Sequence, residues 1–348
     1  MRIGPFAVKK ITAQIALVVM GASMAFGVMA ANSIKPSEED IAKFLRPAAV
    51  PQPADNMMTP ERVELGKLLF FDPRLSGSNF ISCATCHNPA MGWSDGQPTA
   101  IGHGMGQLAR SSPTILNTAY QSLMMWDGRF RTLEEQALGP IEDGGEMAQP
   151  MHELIPEIKA IPKYVQMFEA AYPGEGVSKE GIGKAIASFE RSIVSTDSGF
   201  DRWLKGVDTA MSDSAKRGFV VYKGKANCAA CHSGFNFSDN GFHNIGLPDS
   251  KDDGRYRVKK VAVLKGAFKT PTLRDVALTA PYMHNGQYKT LAEVVDHYNR
   301  GGDKNPGTLD PNMKPLNLSK DEQRDLVEFL KALTGDPLVF VVPQLPVN

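Results

Sequence analysis

All four cysteines of this 348-residue chain fall in two short runs, Cys83-Ala-Thr-Cys86-His87 and Cys228-Ala-Ala-Cys231-His232. Two thiols three positions apart reach the vinyl groups of one haem and form thioethers, and the adjacent histidine then sits under the iron as proximal ligand. Two such runs predict two covalently bound haem c groups, ligated by His87 and His232. The competing reading is zinc, which needs four ligands at one tetrahedral site and so would require both pairs to converge. Structural disulfides are the usual employment of cysteines outside the cell, but two intervening residues make poor geometry for a bridge.

One histidine per iron leaves the sixth position to decide the function. A strong second ligand makes an electron carrier, whereas a vacant or displaceable position makes a catalyst. Five other histidines remain, His103, His152, His243, His284 and His297, and their spacing alone does not choose among them. Sixteen methionines add thioether candidates, although most methionines pack cores.

The rest of the chain must position these groups. Lys and Arg number 38 and Asp and Glu 38, so the net charge is zero and binding to nucleic acid has no electrostatic support. With 42% hydrophobic and 22% charged residues the chain is globular rather than disordered. Its length suits two domains of ~150 residues. Arg2, Lys9 and Lys10 precede an apolar run, Ile15 to Val28, with small residues at Ala30 and Ala31, the pattern of an export signal over residues 1–30. An uncleaved anchor is the alternative reading. No later run reaches the ~20 apolar residues of a span, so the expected product is a soluble periplasmic protein with no membrane span after cleavage.

Ser37 before Glu-Glu-Asp caps a short first helix, and Thr59-Pro60 opens a second with Val63, Leu65, Leu68 and Leu69 behind it. Residues 88–131 read as loop. Thr132-Leu-Glu-Glu135 and Ser319-Lys-Asp-Glu322 read as capping boxes. Further helices are expected from about Glu180 to Val194 and from Asp213 to Lys223, with a linker over 196–212. The order helix, Cys-x-x-Cys-His, loops, helix occurs twice. The fold class is therefore mainly α: two cytochrome c-like haem domains with long loops and few strands. The expected divisions are 31–200, 201–340 and a tail at 341–348.

As a set, several motifs resemble the bacterial di-haem cytochrome c peroxidases and the related MauG enzymes. They include Leu69-Phe-Phe-Asp-Pro-Arg-Leu75, Gly102-His103-Gly, Trp126-Asp-Gly-Arg129, Leu133-Glu-Glu-Gln136, Gly145-Glu-Met147, Phe189-Glu-Arg191, Thr270-Pro-Thr-Leu-Arg274 and Pro281-Tyr-Met-His-Asn-Gly286. The resemblance implies that the first haem is where peroxide reacts and that the second receives electrons from a donor protein. It implies His103 as the distal ligand of the first haem, Trp126 as the aromatic between the haems, and Gln136 and Glu146 as the distal polar pair. On their own residues, Glu146 reads as a solvated loop acid and Trp126 as a core aromatic. The peroxide chemistry gives Glu146 a task, since a carboxylate in a low-dielectric pocket can move a proton from one peroxide oxygen to the other.

The second haem departs from the peroxidase pattern. Where those enzymes place a distal Met, this chain has Tyr298, as MauG enzymes do, with Met283, Met313 and His297 as the other candidates. A phenolate favours ferric or higher iron, whereas a thioether favours ferrous iron. The resemblance also implies a calcium ion between the domains, on the carbonyls of Thr279 and Pro281, with Ser111 where the family has Asn. The expected function is a periplasmic peroxidase that reduces H₂O₂ to water with electrons from a small c-type cytochrome or cupredoxin. The alternatives are a MauG-like oxidase of Trp or Tyr on a partner protein and a non-enzymatic di-haem electron carrier. Related peroxidases are homodimers, so the resemblance extends to a dimer here.

Overall fold

The sequence forms helices where a capping side chain precedes an apolar stripe. The computed structural model describes residues 1, 4, 34–248, 250–303, 307–337 and 339–347. The export segment expected over residues 1–30 therefore lies, apart from residues 1 and 4, outside the described residues. In the first half of the chain the helices are α1 (Glu38–Phe44), α2 (Pro60–Phe71), α3 (Cys83–Cys86), α4 (Leu133–Glu142), α5 (Met151–Lys159), α6 (Pro162–Ala171) and α7 (Lys179–Ser192). In the second half they are α8 (Gly199–Leu204), α9 (Asp213–Lys223), α10 (Leu291–Arg300) and α11 (Lys320–Ala332). The strands among the described residues are the two-residue β1 (Phe242–His243) and β2 (Phe268–Lys269), which pair antiparallel. No helix among the described residues is long and apolar enough to cross a membrane.

Residues 34–348 form one compact unit with two main apolar cores. In the first core α2 crosses α7 at Gly66, where a Cβ would lie 1.8 Å from the Ala185 carbonyl oxygen. In the second, α9 crosses α11 at Gly218, where a Cβ would lie 1.9 Å from the Asp325 carbonyl oxygen. Each crossing brings backbones closer than any side chain allows, so glycine is required at both. The Gly218→Ala variant is expected to unfold with a destabilisation of about 2–3 kcal/mol from overpacking, read as a lower urea midpoint at unchanged slope.

The termini cross between the cores. Phe44 of α1 stacks on Phe237 at 5.0 Å in the second core. Phe340 stacks on Phe71 at 5.2 Å in the first, and Arg74 Nη2 donates to the Pro346 carbonyl at 2.9 Å. The segment expected as a linker at 196–212 is instead core, because Phe200, Trp203 and Leu204 of α8 are all buried against Phe44 and Phe219. Its apolar residues are too few to show a helical period, so burial by distant partners is invisible in the local pattern. The boundary expected between 200 and 201 falls inside that helix. Ser37 and Ser319 form complete capping boxes. Thr132 caps α4, but Glu135 reaches back to the Arg131 N–H at 2.8 Å rather than to Thr132.

Candidate di-haem site

The two Cys-x-x-Cys-His runs fold alike. Cys83 and Cys86 occupy α3, one helical turn that aligns both thiols, and His87 N–H bonds the Cys83 carbonyl at 3.0 Å. Cys228 opens a 3₁₀ turn, and His232 N–H bonds the Cys228 carbonyl at 2.9 Å. His87 Nδ1 faces the Trp93 carbonyl at 3.3 Å and His232 Nδ1 the Phe237 carbonyl at 2.9 Å. A carbonyl can only accept, so Nδ1 donates and Nε2 keeps its lone pair for a metal. Burial holds both imidazoles below their ordinary value, hence neutral, while the backbone carbonyls pull weakly the other way.

The four thiols are free. Burial pushes Cys83 far up, Cys86 to about 11 and Cys228 to about 12. Cys83 packs on the first core and Cys228 on the second, so the pairs do not converge as zinc would require. The group of three potential ligands found among the described residues is Cys231, Asp239 and His243. There His243 Nδ1 lies 2.6 Å from Asp310 and Nε2 2.9 Å from Asp239, so both ring nitrogens donate and neither is left for a metal. The donor set of each run, two unpaired thiols and one neutral imidazole on one turn, fits covalent haem attachment and axial ligation.

Trp126 lies between the two halves. Its indole N–H donates to the Ser111 carbonyl at 2.9 Å, and its own carbonyl accepts from Lys269 N–H at 2.8 Å. Ser111 in turn bonds the turn after Pro281, its N–H to the His284 carbonyl at 2.8 Å and its hydroxyl to the Met283 carbonyl at 2.9 Å. Thr279 and Pro281 belong to that same turn region, where the Thr279 hydroxyl donates to the Val276 carbonyl at 3.2 Å.

Glu146 sits in a turn hung from the end of α4. Its N–H bonds the Asp143 carbonyl at 3.0 Å, and the buried Met147 next to it anchors the turn in the first core. Burial raises the Glu146 carboxyl, the Asp143 charge raises it further, and Arg129 offsets part of this from 3.8 Å. His103 lies exposed on a 3₁₀ turn, and its N–H bonds the Gly145 carbonyl at 3.0 Å. At the preceding Gly102 a Cβ would lie 2.0 Å from that carbonyl, so the His103 and Glu146 turns are packed backbone to backbone. Gln136, on α4, directs its amide at the Met125 sulfur, 4.0 Å away.

Tyr298, near the end of α10, lies within the electrostatic reach of both Cys228 and Cys231, and burial pushes its phenol strongly up. His297, the other candidate on that helix, has both ring nitrogens taken: Nδ1 by Asp303 at 2.9 Å and Nε2 by the Ile245 carbonyl at 2.9 Å. His284 stacks on Phe268 at 3.6 Å, and His152 is exposed on α5. What spacing did not reveal is the set of charges behind Trp126. Asp127, Arg129, Arg110 and Asp252 form ion pairs that begin beside the indole. Asp127 and Arg129 lie in a motif, but the Arg110 side chain that joins Asp127 to Asp252 carries no local signal.

Comparison with known proteins shows the family. A family profile for di-haem cytochrome c peroxidase matches residues 60–209, and one for cytochrome c matches residues 215–334. The methylamine utilization protein MauG of Methylorubrum extorquens is 46% identical over 317 residues, covering 89% of this chain and 90% of that protein. The cytochrome c551 peroxidase of Nitrosomonas europaea is 38% identical over 327 residues, covering 92% and 90%. Among solved structures, a MauG-like protein associated with microbial copper homeostasis superimposes with a TM-score of 0.78 at 31% identity, covering 84% of this chain and 94% of that one.

Proposed function

This chain belongs to the di-haem cytochrome c peroxidase and MauG family, and from that premise we propose that it reduces hydrogen peroxide to water in the periplasm. Two electrons and two protons are consumed for each peroxide, and a small c-type cytochrome or cupredoxin supplies the electrons one at a time. The observation that carries this reading is Glu146, a carboxyl of raised proton affinity held beside the turn of His103 in the half that contains Cys83, Cys86 and His87. We assign residues 31–200 to the peroxide-reducing module and 201–340 to the electron-accepting module, except that α1 and the start of α8 pack in the second core and the 341–348 tail lies on the first.

Cys83 and Cys86, and Cys228 and Cys231, would hold two haem c groups, with His87 and His232 as proximal ligands. Bound there, the haems supply the redox chemistry that delivers the donor's electrons to peroxide. Glu146 takes the proton from one peroxide oxygen and gives it to the departing one, and Gln136 orients the peroxide by hydrogen bonding. Trp126, bonded to both halves of the chain, is the aromatic step between the modules. His103 is the displaceable ligand of the first site. That reading is supported by the bond of its turn to Gly145 beside Glu146, and by the partners that engage both ring nitrogens of His243 and His297 elsewhere.

Tyr298 would be the distal ligand of the second site, a reading supported by its burial within electrostatic reach of Cys228 and Cys231. The Tyr298→Phe variant is expected to alter the EPR signature of the second haem alone and to raise its potential. An unchanged spectrum would transfer the role to Met283 or Met313. This tyrosine also favours a second reading, in which peroxide drives oxidation of Trp or Tyr on a partner protein. A calcium ion on Ser111 and the carbonyls of Thr279 and Pro281 belongs to the same proposal, supported by a Ser111 hydroxyl that donates to the Met283 carbonyl and so points its proton away from an ion.

The test is steady-state oxidation of a reduced c-type cytochrome by H₂O₂, on protein carrying two haems per chain by pyridine haemochrome. Turnover supports the peroxidase. A two-electron-oxidised state lasting many seconds without donor turnover supports the partner-protein oxidase. A first haem that neither becomes high-spin on half-reduction nor binds cyanide would make the protein an electron carrier only.

A further inference from the structure

We propose that Arg129 is a positioning residue for Glu146, and that its grip is set from the other half of the molecule through alternating charges, Asp252, Arg110, Asp127 and Arg129. The proposal rests on the reading of Glu146 as the proton carrier, and goes beyond it by naming what tunes that carboxyl.

The chain of contacts is continuous. Arg110 holds Asp252 with two hydrogen bonds, Nε to Oδ2 at 2.7 Å and Nη2 to Oδ1 at 3.0 Å. Its remaining nitrogen, Nη1, donates to Asp127 Oδ2 at 2.7 Å. That same oxygen accepts from Arg129 Nη1 at 3.1 Å, and Arg129 Nη2 lies 3.8 Å from Glu146 Oε1. The turn carrying Asp127 is itself fixed from the second half, since Arg255 donates to the Asp127 and Gly128 carbonyls at 2.7 and 2.6 Å.

Burial decides how far charge is felt along this line. The side chains of Arg110, Asp127 and Asp252 are 15%, 6% and 13% exposed, so their attractions are weakly screened. Burial opposes ionisation of Asp252, but hydrogen bonds from Arg110 and Gly254 and the charges of Arg110 and Arg257 bring it down to about 2, so it is an anion at any working pH. Arg129 and Glu146 are 35% and 24% exposed, which limits the last link to a fraction of a buried pair. The groups that face Glu146 are Arg129, Asp143 on its own turn, and the thiols of Cys83 and Cys86, which no longer titrate as thioethers. From the His103 turn the His103 N–H bonds the Gly145 carbonyl at 3.0 Å.

Asp127 Oδ2 is shared by two guanidinium groups, so a stronger hold by one weakens the other. Without Arg110, Asp127 draws Arg129 to itself and Glu146 loses its cation. Without the Asp252 charge, Arg110 turns wholly to Asp127 and Arg129 is released toward Glu146. The two changes break the same Arg110–Asp252 bridge yet push Glu146 in opposite directions. A merely structural role would move both variants the same way.

The experiment uses the two-haem protein and two readouts. One is the infrared carboxyl band of Glu146, identified by its loss in Glu146→Gln and titrated without peroxide. The other is the acid limb of kcat/KM for H₂O₂. Both should move up by about half a unit to one unit in Arg129→Gln, move up by less in Arg110→Gln, and move down by about 0.3 in Asp252→Asn. Should Arg110→Gln not retain two haems, the opposed signs of Arg129→Gln and Asp252→Asn carry the test. If Asp252→Asn shifts upward or not at all while Glu146→Gln still abolishes turnover, the relay is overturned and Glu146 keeps its role. If Glu146→Gln turns over normally, the reading beneath the relay fails instead.

Discussion

Replacing Glu146 by Gln is expected to lower kcat/KM for H₂O₂ by about 10²–10⁴-fold, the usual worth of a positioned general acid–base group. Glutamine keeps the shape and the hydrogen-bonding reach but cannot accept a proton from one peroxide oxygen and return it to the other. Haem content and cyanide binding should stay at wild-type levels, because the side chain is half-buried and no apolar contact is lost. The pH dependence has a definite sign. Glu146 must be ionised to begin the transfer, and burial with Asp143 raises its proton affinity while Arg129 only partly offsets them. Wild-type kcat/KM should therefore fall with decreasing pH through a value above that of an ordinary glutamate, and that limb should vanish in the variant. Wild-type rates in Glu146→Gln would remove the proton-transfer role from this residue.

The parts of this molecule legible in the sequence are those whose physics is local. Two thiols and a histidine on a single turn need no distant partner to be recognised, and the folded chain presents both runs alike. Ser37, Thr59 and Ser319 announce helix starts because a cap acts within three residues. The helix over Gly199–Leu204 was not legible, since its reason for existing is a pocket made by Phe44, Phe219 and Phe329, far away along the chain. The same holds for the crossed termini: nothing near Phe340 says that it will stack on Phe71. Glu146 was a loop acid by its own composition, and only the family resemblance gave it a role. What the fold adds is the cause of its raised proton affinity, partial burial of the side chain with the Asp143 charge beside it. Arg274 shows the converse. Its Thr-Pro-Thr-Leu-Arg motif helped mark the family, yet in the fold the side chain is a buried structural tie.

That tie supports the largest stability effect expected of a single substitution here. Arg274 is buried, with its Nε on the Phe235 carbonyl at 2.7 Å, Nη1 on Asp201 Oδ2 at 2.7 Å and Nη2 on the Phe44 carbonyl at 3.3 Å. It thus joins α1, α8 and the loop behind the second Cys pair. Asp201 is also the N3 residue of the α8 capping box, taking Ser198 N–H at 2.8 Å and the Ser198 hydroxyl at 2.6 Å. Asp201→Ala leaves the guanidinium without its hydrogen-bonded anion, with Asp275 only in electrostatic reach, in a medium that cannot hydrate it, and should cost about 3–5 kcal/mol. Asp201→Asn, which keeps an acceptor for both partners, should cost less. Pairing Asp201→Ala with Arg274→Met should recover part of the loss, because the penalty is the stranded charge rather than the missing bond. The pH dependence follows from the same contacts. Burial opposes ionisation of Asp201, but the Arg274 charge and the Ser198 bonds outweigh it and hold the carboxyl below its ordinary value. A lowered folded value means that the unfolded chain takes up the proton first. The stabilisation is therefore fully present above about pH 4, the ordinary aspartate range, and is lost as pH falls through the lower folded value. Urea unfolding of the two-haem protein at pH 7 and at pH 3 should show wild type losing stability to acid, with a smaller acid loss in Asp201→Ala. If Asp201→Ala unfolds within 1 kcal/mol of wild type at pH 7, the buried pair is not what holds these three segments together.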